Sequence, residues 1–120
     1  MAFKSINPAN GDIVSVVDSW NENQIDAALT QAAAIAPDWA GRPIEQRCER
    51  LRKTAGVLRE RSEELARTVT QEMGKLIKES RGEVDKCAWV CEYYADEAPR
   101  FLADETIESD ASRSLVAYQP

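Results

Sequence analysis

The chain has 120 residues, 43% apolar and 30% charged, with a formal net charge of −6. That balance fits one globular domain and excludes disordered, collagenous and low-complexity chains. No run approaches the roughly 20 apolar residues of a membrane span or forms the core of a signal peptide, and three cysteines without an export signal point to a reducing cytoplasm.

The first predicted element is a hairpin. Phe3 and Ile6 precede the turn Asn7-Pro8-Ala9-Asn10-Gly11-Asp12, and the β-branched run Ile13-Val14-Ser15-Val16-Val17 follows it. Four helices come next. Asn21 caps the first, with Gln24 three residues on, and Ile25, Leu29, Ala32, Ala36 and Trp39 form one face before Gly41. Pro43 suits the first position of the second helix, where Ile44, Cys48, Leu51, Ala55 and Leu58 repeat the same offsets. Ser62 is the candidate cap of the third helix. Its apolar face is Leu65, Val69 and Met73, and Gly74 is the expected left-handed stop.

The fourth helix is predicted over about Ile77 to Leu102. Val84, Cys87, Ala88, Cys91, Tyr94, Ala95, Ala98, Phe101 and Leu102 line its inner side. Two short strands, Thr106–Ser109 and Ser114–Tyr118, alternate around a polar turn. With no closing element after Gln119-Pro120, residues 1–120 read as one partial domain, mostly α with an N-terminal β-hairpin and two C-terminal strands.

Charge is unevenly placed. Eight basic and five acidic residues lie between Arg42 and Arg67, whereas three basic and ten acidic lie between Glu79 and Asp110. The basic stretch carries no aromatic and its acids are interspersed, so it reads as helix surface, with no nucleic acid and no membrane as partner. The absence of histidine removes Ser-His-Asp and Cys-His catalysis and nearly every zinc site.

Three features imitate sites. Cys48, beside Arg47, is a candidate nucleophile, but it occupies an apolar helix position and reads as a small core residue. Cys87 and Cys91 share a helix face, half of a metal site without a third ligand, and read as core packing. Trp89, Tyr93, Tyr94 and Phe101 read as core and interface aromatics rather than a cage for a cation. No Gly-x-Gly-x-x-Gly and no Walker loop is present.

Several local words occur together, in order: Ile6-Asn7-Pro8-Ala9-Asn10-Gly11-Asp12, Trp39 before a Pro-started helix, Glu72-Met73-Gly74-Lys75, the run Cys87 to Ala95, and Tyr118-Gln119-Pro120. Over essentially all 120 residues they resemble the amino-terminal segment of the NAD(P)-dependent aldehyde dehydrogenase superfamily, nearest its succinate-semialdehyde dehydrogenase-like branch. The resemblance implies an α/β parent fold, an NAD or NADP cofactor and homo-oligomers when complete. It also implies aldehyde oxidation through a cysteine thioester, with a glutamate base and an oxyanion asparagine.

None of those catalytic groups is matched by a residue here, so no catalytic and no cofactor-binding residue is assigned. Residues 104–120 would begin the oligomerisation strands. Backbone carbonyls near Ile6 and Glu72 would belong to a monovalent cation site, completed by residues beyond this sequence. One face of the long helix, with Lys86, Trp89 and Val90, would border the substrate tunnel. The expected partner is the remainder of the aldehyde dehydrogenase fold; the alternative is a stand-alone helical interaction or oligomerisation module without catalysis.

Overall fold

The computed structural model describes residues 2–119. Strands β1 (Ala2–Ile6) and β2 (Ile13–Asp18) form an antiparallel hairpin, followed by helices α1 (Glu22–Ala40), α2 (Ile44–Glu60), α3 (Ser62–Met73) and α4 (Ile77–Phe101). A second antiparallel pair, β3 (Glu105–Thr106) and β4 (Leu115–Val116), comes last. The mostly helical expectation, with four helices and α4 the longest, holds. The last two strands are shorter than the expected Thr106–Ser109 and Ser114–Tyr118. Beyond two matched residue pairs the two segments are joined by Ile107 N–H to the Ser114 carbonyl at 2.9 Å, by the Ser109–Ser114 hydroxyl pair at 2.6 Å and by Tyr118 Oη donating to Glu105 Oε1 at 3.3 Å.

The hairpin turn is built by asparagine. Asn7 Oδ1 accepts from Ala9 N at 2.9 Å, and Asn10 Oδ1 accepts from Asp12 N at 3.0 Å, the local side-chain bonds that make Asn a turn former. Gly11 takes φ +80°, where a side chain would be strained. The register breaks between Ser5 and Ile6, so Ile6 faces Ile13 and Val14 is bulged out.

Helix boundaries follow their caps. Asn21 and Gln24 form the expected reciprocal capping box, each bond 3.0 Å. Gly41 ends α1 in a right-handed conformation, its N–H reaching the Pro37 carbonyl at 3.0 Å. Pro43 is the cap of α2 rather than its first residue. Ser62 is the first residue of α3, and only Arg61 separates α2 from α3. Gly74 is the left-handed stop, φ +68°, its N–H on the Thr70 carbonyl at 3.0 Å.

The core is a three-helix seam of small residues. Cys48 and Ala55 of α2, Ala66 of α3 and Val84, Ala88 and Ala95 of α4 are its buried apolar residues. Their spacings of seven on α2 and of four and seven on α4 give a narrow stripe, and small side chains there allow backbones to approach closely. Buried Ser80 donates to the Leu76 carbonyl at 3.3 Å, which leaves Thr70 as the donor across the 3.0 Å hydroxyl pair that ties α3 to α4.

Several expected core positions face outward. Met73 is 74% exposed because α3 turns Ala66 inward, one residue round from the expected stripe. Tyr94, Phe101, Leu102 and Cys87 are exposed and Cys91 is half-buried, since α4 turns Ser80, Val84, Ala88 and Ala95 toward its neighbours. The α1 stripe is exposed as well: no residue of that helix is buried. The Cα radius of gyration is 20.6 Å, against about 14 Å for a compact domain of this length. Hairpin, α1 and the three-helix seam therefore do not share one core.

The uneven charge resolves across the seam. Arg52 of α2 bonds Asp96 of α4 at 2.8 Å, and Arg59 reaches Asp85 and Glu92 at 3.2 and 2.6 Å. Arg81 of α4 holds Glu63 of α3 at 2.8 and 2.9 Å. Arg52 also donates to the Ala95 carbonyl at 3.1 Å. That carbonyl would ordinarily accept from residue 99, which is Pro99 and has no N–H. The arginine replaces the missing helix bond.

Candidate functional site

Two regions hold the residues singled out from the sequence. The first is where the hairpin docks on the end of α3. Ser5 Oγ donates to Glu72 Oε1 at 2.8 Å, and a Cβ added to Gly74 would lie 2.9 Å from Pro8 Cγ. The Asn-Pro and Glu-Met-Gly-Lys words, far apart in sequence, thus meet. Ile6 ends β1 and Glu72 lies in the last turn of α3, where the helix dipole has its negative end. That chemistry suits a cation.

The second region is the outward face of α4. Glu83, Lys86, Cys87, Val90 and Cys91 line a mainly apolar groove of about 460 Å³. Lys86 and Val90 of the expected tunnel face are brought together there. Trp89 is not among the lining residues; its ring packs on Tyr93, centroids 5.8 Å apart, and Tyr93 meets Tyr94 edge-on at 5.3 Å. Glu83 of the groove lining is ion-paired with Lys75.

Two further hollows are bordered by charged side chains. Glu63, Arg67, Thr70, Gln71, Ile77 and Arg81 border one between α3 and α4, where Glu63 binds both arginines. The Arg81 hydrogen bond holds the Glu63 carboxyl below the usual carboxylate range, and Arg59 does the same for Glu92. In the other, Arg47 lies beside Pro99, Leu102 and Tyr118 with its Nε buried and without a hydrogen-bond partner. Sequence reasoning found neither, nor the Arg52–Ala95 bond. Pro99 inside a helical pattern was the available signal for that bond.

Cys48 is 2% exposed on the seam, in keeping with a core residue. Among the described residues no group of three or more His, Cys, Asp or Glu side chains is placed to hold a metal, and no helix is long and apolar enough to cross a membrane. The described residues do not fit a dinucleotide. The glycines with open space around a would-be Cβ are Gly11 in the hairpin turn and Gly56 and Gly82 inside helices, and none of them forms a phosphate cradle at a helix N-terminus.

The family model described as the aldehyde dehydrogenase family matches residues 1–120, and the chain belongs to that family. Within it the similarity runs to succinate-semialdehyde dehydrogenases. The chain is 42% identical over 120 residues to a probable succinate-semialdehyde dehydrogenase [NADP(+)] of Synechocystis, covering all of this chain and 26% of that protein. It is 40% identical over 116 residues to succinate semialdehyde dehydrogenase [NAD(P)+] Sad of Escherichia coli, covering 97% of this chain and 25% of that protein. The crystal structure of succinic semialdehyde dehydrogenase from Streptococcus pyogenes with NADP+ superposes with a TM-score of 0.89 at 29% identity, over 96% of this chain and 26% of that one. The chain therefore spans about a quarter of the length of the relatives it matches.

Proposed function

We propose that this chain is the amino-terminal scaffold of a cytoplasmic NAD(P)-dependent aldehyde dehydrogenase that oxidises succinate semialdehyde to the acid. In this reading the cysteine nucleophile, the glutamate base, the oxyanion asparagine and the dinucleotide site all lie in the remainder of the fold. The observation that carries it is the family match over residues 1–120 together with the 42% identity to a probable succinate-semialdehyde dehydrogenase. Within that scaffold the Ile6 and Glu72 carbonyls contribute to a monovalent cation site, and the α4 groove with Lys86 and Val90 borders the path of the aldehyde. Residues 104–120 begin the strands through which complete subunits associate.

The test is complementation. The chain is co-expressed with the remaining three quarters of the Synechocystis relative, and reduction of NADP+ dependent on succinate semialdehyde is followed at 340 nm. Activity in the co-expressed pair, and in neither part alone, supports the proposal. Activity of the purified chain alone, growing in proportion to its concentration, overturns it. The stand-alone interaction module draws support from the exposed stripe of α1, with Ile25, Leu29, Ile35 and Trp39 all open. It is favoured if the pair associates without acquiring activity.

A further inference from the structure

We propose that Asn10 is a self-modifying position: its side-chain amide cyclises onto the nitrogen of Gly11 and hydrolyses to aspartate or isoaspartate, at a rate set by opening of the hairpin turn. The inference rests on the geometry of that turn and not on the function proposed above. Electrophile and nucleophile are bonded neighbours, so the site is assigned whatever else packs on the hairpin.

The chain has asparagine at positions 7, 10, 21 and 23, and only Asn10 is followed by a residue free to attack it. Asn7 precedes Pro8, whose nitrogen carries no hydrogen to lose. Asn21 is held as the cap of α1, its Oδ1 accepting from Gln24 N at 3.0 Å, and Asn23 lies inside that helix. Glu22 and Gln24, which follow them, also bring a Cβ against the side-chain amide. Gly11 has no Cβ, and it sits at φ +80° with nothing within 4 Å of where one would stand.

The closed turn engages both reacting groups. Gly11 N–H donates to the Asn7 carbonyl at 2.8 Å, which opposes loss of its proton. Asn10 Oδ1 accepts from Asp12 N at 3.0 Å and Nδ2 donates to Asp12 Oδ2 at 2.7 Å, so the amide is fixed at both of its polar atoms. Each such bond is worth a net factor of about 2–12, so three that must open together slow the reaction at least about tenfold.

In the open turn Gly11 N gives its proton to solvent and bonds Asn10 Cγ. The Cγ–Nδ2 bond breaks, and Nδ2 takes up a proton from water and leaves as ammonia. One water then opens the cyclic imide. Cleavage of the new bond yields aspartate; cleavage of the original peptide bond yields isoaspartate, with an extra methylene in the main chain. No atom changes oxidation state. Either product replaces the amide donor with a carboxylate beside Asp12, and like charges there oppose closing of the turn. Pro8, which abuts Gly74, belongs to the same turn, so conversion loosens the docked hairpin and nothing in the reaction reverses it.

The experiment holds the chain at pH 7.4 and 37 °C, in buffer and in 6 M guanidinium chloride, and follows each asparagine by peptide mapping and mass spectrometry. Asn10 should convert first, with aspartate and isoaspartate both appearing, and at least about tenfold faster in denaturant than in buffer. Asp12→Ala removes the Nδ2 bond. It should match the wild-type chain in denaturant and convert about 2–12-fold faster in buffer, with the helix signal at 222 nm unchanged. Asn10→Asp, which installs one product directly, should lower the thermal midpoint. Conversion of Asn21 or Asn23 as fast as Asn10 in buffer overturns the proposal. So do equal Asn10 rates in buffer and denaturant while the buffered chain keeps its helix signal, or an Asp12→Ala chain that converts no faster in buffer than the wild type.

Discussion

Gly74→Ala tests the junction between hairpin and helix bundle, and its cost can be worked from two separate terms. Gly74 sits at φ +68°, where an L side chain costs about 1–2 kcal/mol. The new Cβ would also lie 2.9 Å from Pro8 Cγ, inside any normal carbon contact, and a proline ring does not swing aside. Overpacking of that kind adds about 1–3 kcal/mol, so the total is about 2–5 kcal/mol. Gly11→Ala supplies the backbone term alone, because Gly11 has φ +80° and nothing within 4 Å of a Cβ. In a Pro8→Ala background the Cγ is gone and the remaining Cβ stands 3.8 Å away, an ordinary contact, so Gly74→Ala should there cost no more than Gly11→Ala. The assay is thermal unfolding followed by circular dichroism at 222 nm, all variants at one fixed protein concentration because open apolar faces make the midpoint concentration-dependent. A cost for Gly74→Ala equal to that of Gly11→Ala, or no relief from Pro8→Ala, would refute the docked geometry.

Arg52→Met should lower the midpoint in the wild-type chain and do so less in a Pro99→Ala background, where residue 99 regains an N–H for the Ala95 carbonyl; equal effects in both backgrounds would dismiss the substitution of arginine for the lost helix bond. The Glu63 and Glu92 carboxyls are held below their ordinary value of 4.5 by Arg81 and Arg59. Their stabilisation is therefore present above that value and is lost as pH falls through the lowered folded values, an effect that 1 M salt should shrink because the pairs are exposed. Urea midpoints at pH 6 and pH 3, each at low and high salt, measure it, and a midpoint that rises on acidification contradicts the sign. Thiol labelling at neutral pH, resolved by mass spectrometry, should modify Cys87 first, Cys91 next and Cys48 last; early modification of Cys48 would contradict its burial on the seam.

Helix boundaries were legible in sequence because capping is local. Asn21 with Gln24, and Gly74 after α3, act within one turn of their own positions, and the structure places both as expected. The choice of buried face was less legible. Apolar spacing favours large side chains such as Met73, Tyr94 and Phe101, yet close helix approach selects Ala66, Ala88, Ala95 and Ser80. Small residues carry little weight in a periodicity. The face of α1 was legible as a stripe but not as an exposed one, since exposure depends on neighbours that a helix does not encode. At the candidate site, the meeting of the Asn-Pro word with the Glu-Met-Gly-Lys word came only through the family resemblance. Nothing local in Asn7-Pro8 announces a partner at Gly74.

The wide span of sequence across that junction orders the folding of the chain in time. The Thr70–Ser80 hydroxyl pair closes a separation of 10 residues, Arg52–Asp96 one of 44, and Ser5–Glu72 one of 67. Loop-closure entropy makes the last about 1–2 kcal/mol costlier to form than the first. The α3–α4 turn is thus the natural nucleus, α2 zips onto it, and the hairpin docks late although it leaves the ribosome earliest. During synthesis its β-branched strands must wait, undocked, until Gly74 has emerged. Substitutions should divide accordingly: Ser80→Ala should slow refolding, whereas Ser5→Ala should mainly speed unfolding, and the reverse pattern in stopped-flow kinetics would reject this order.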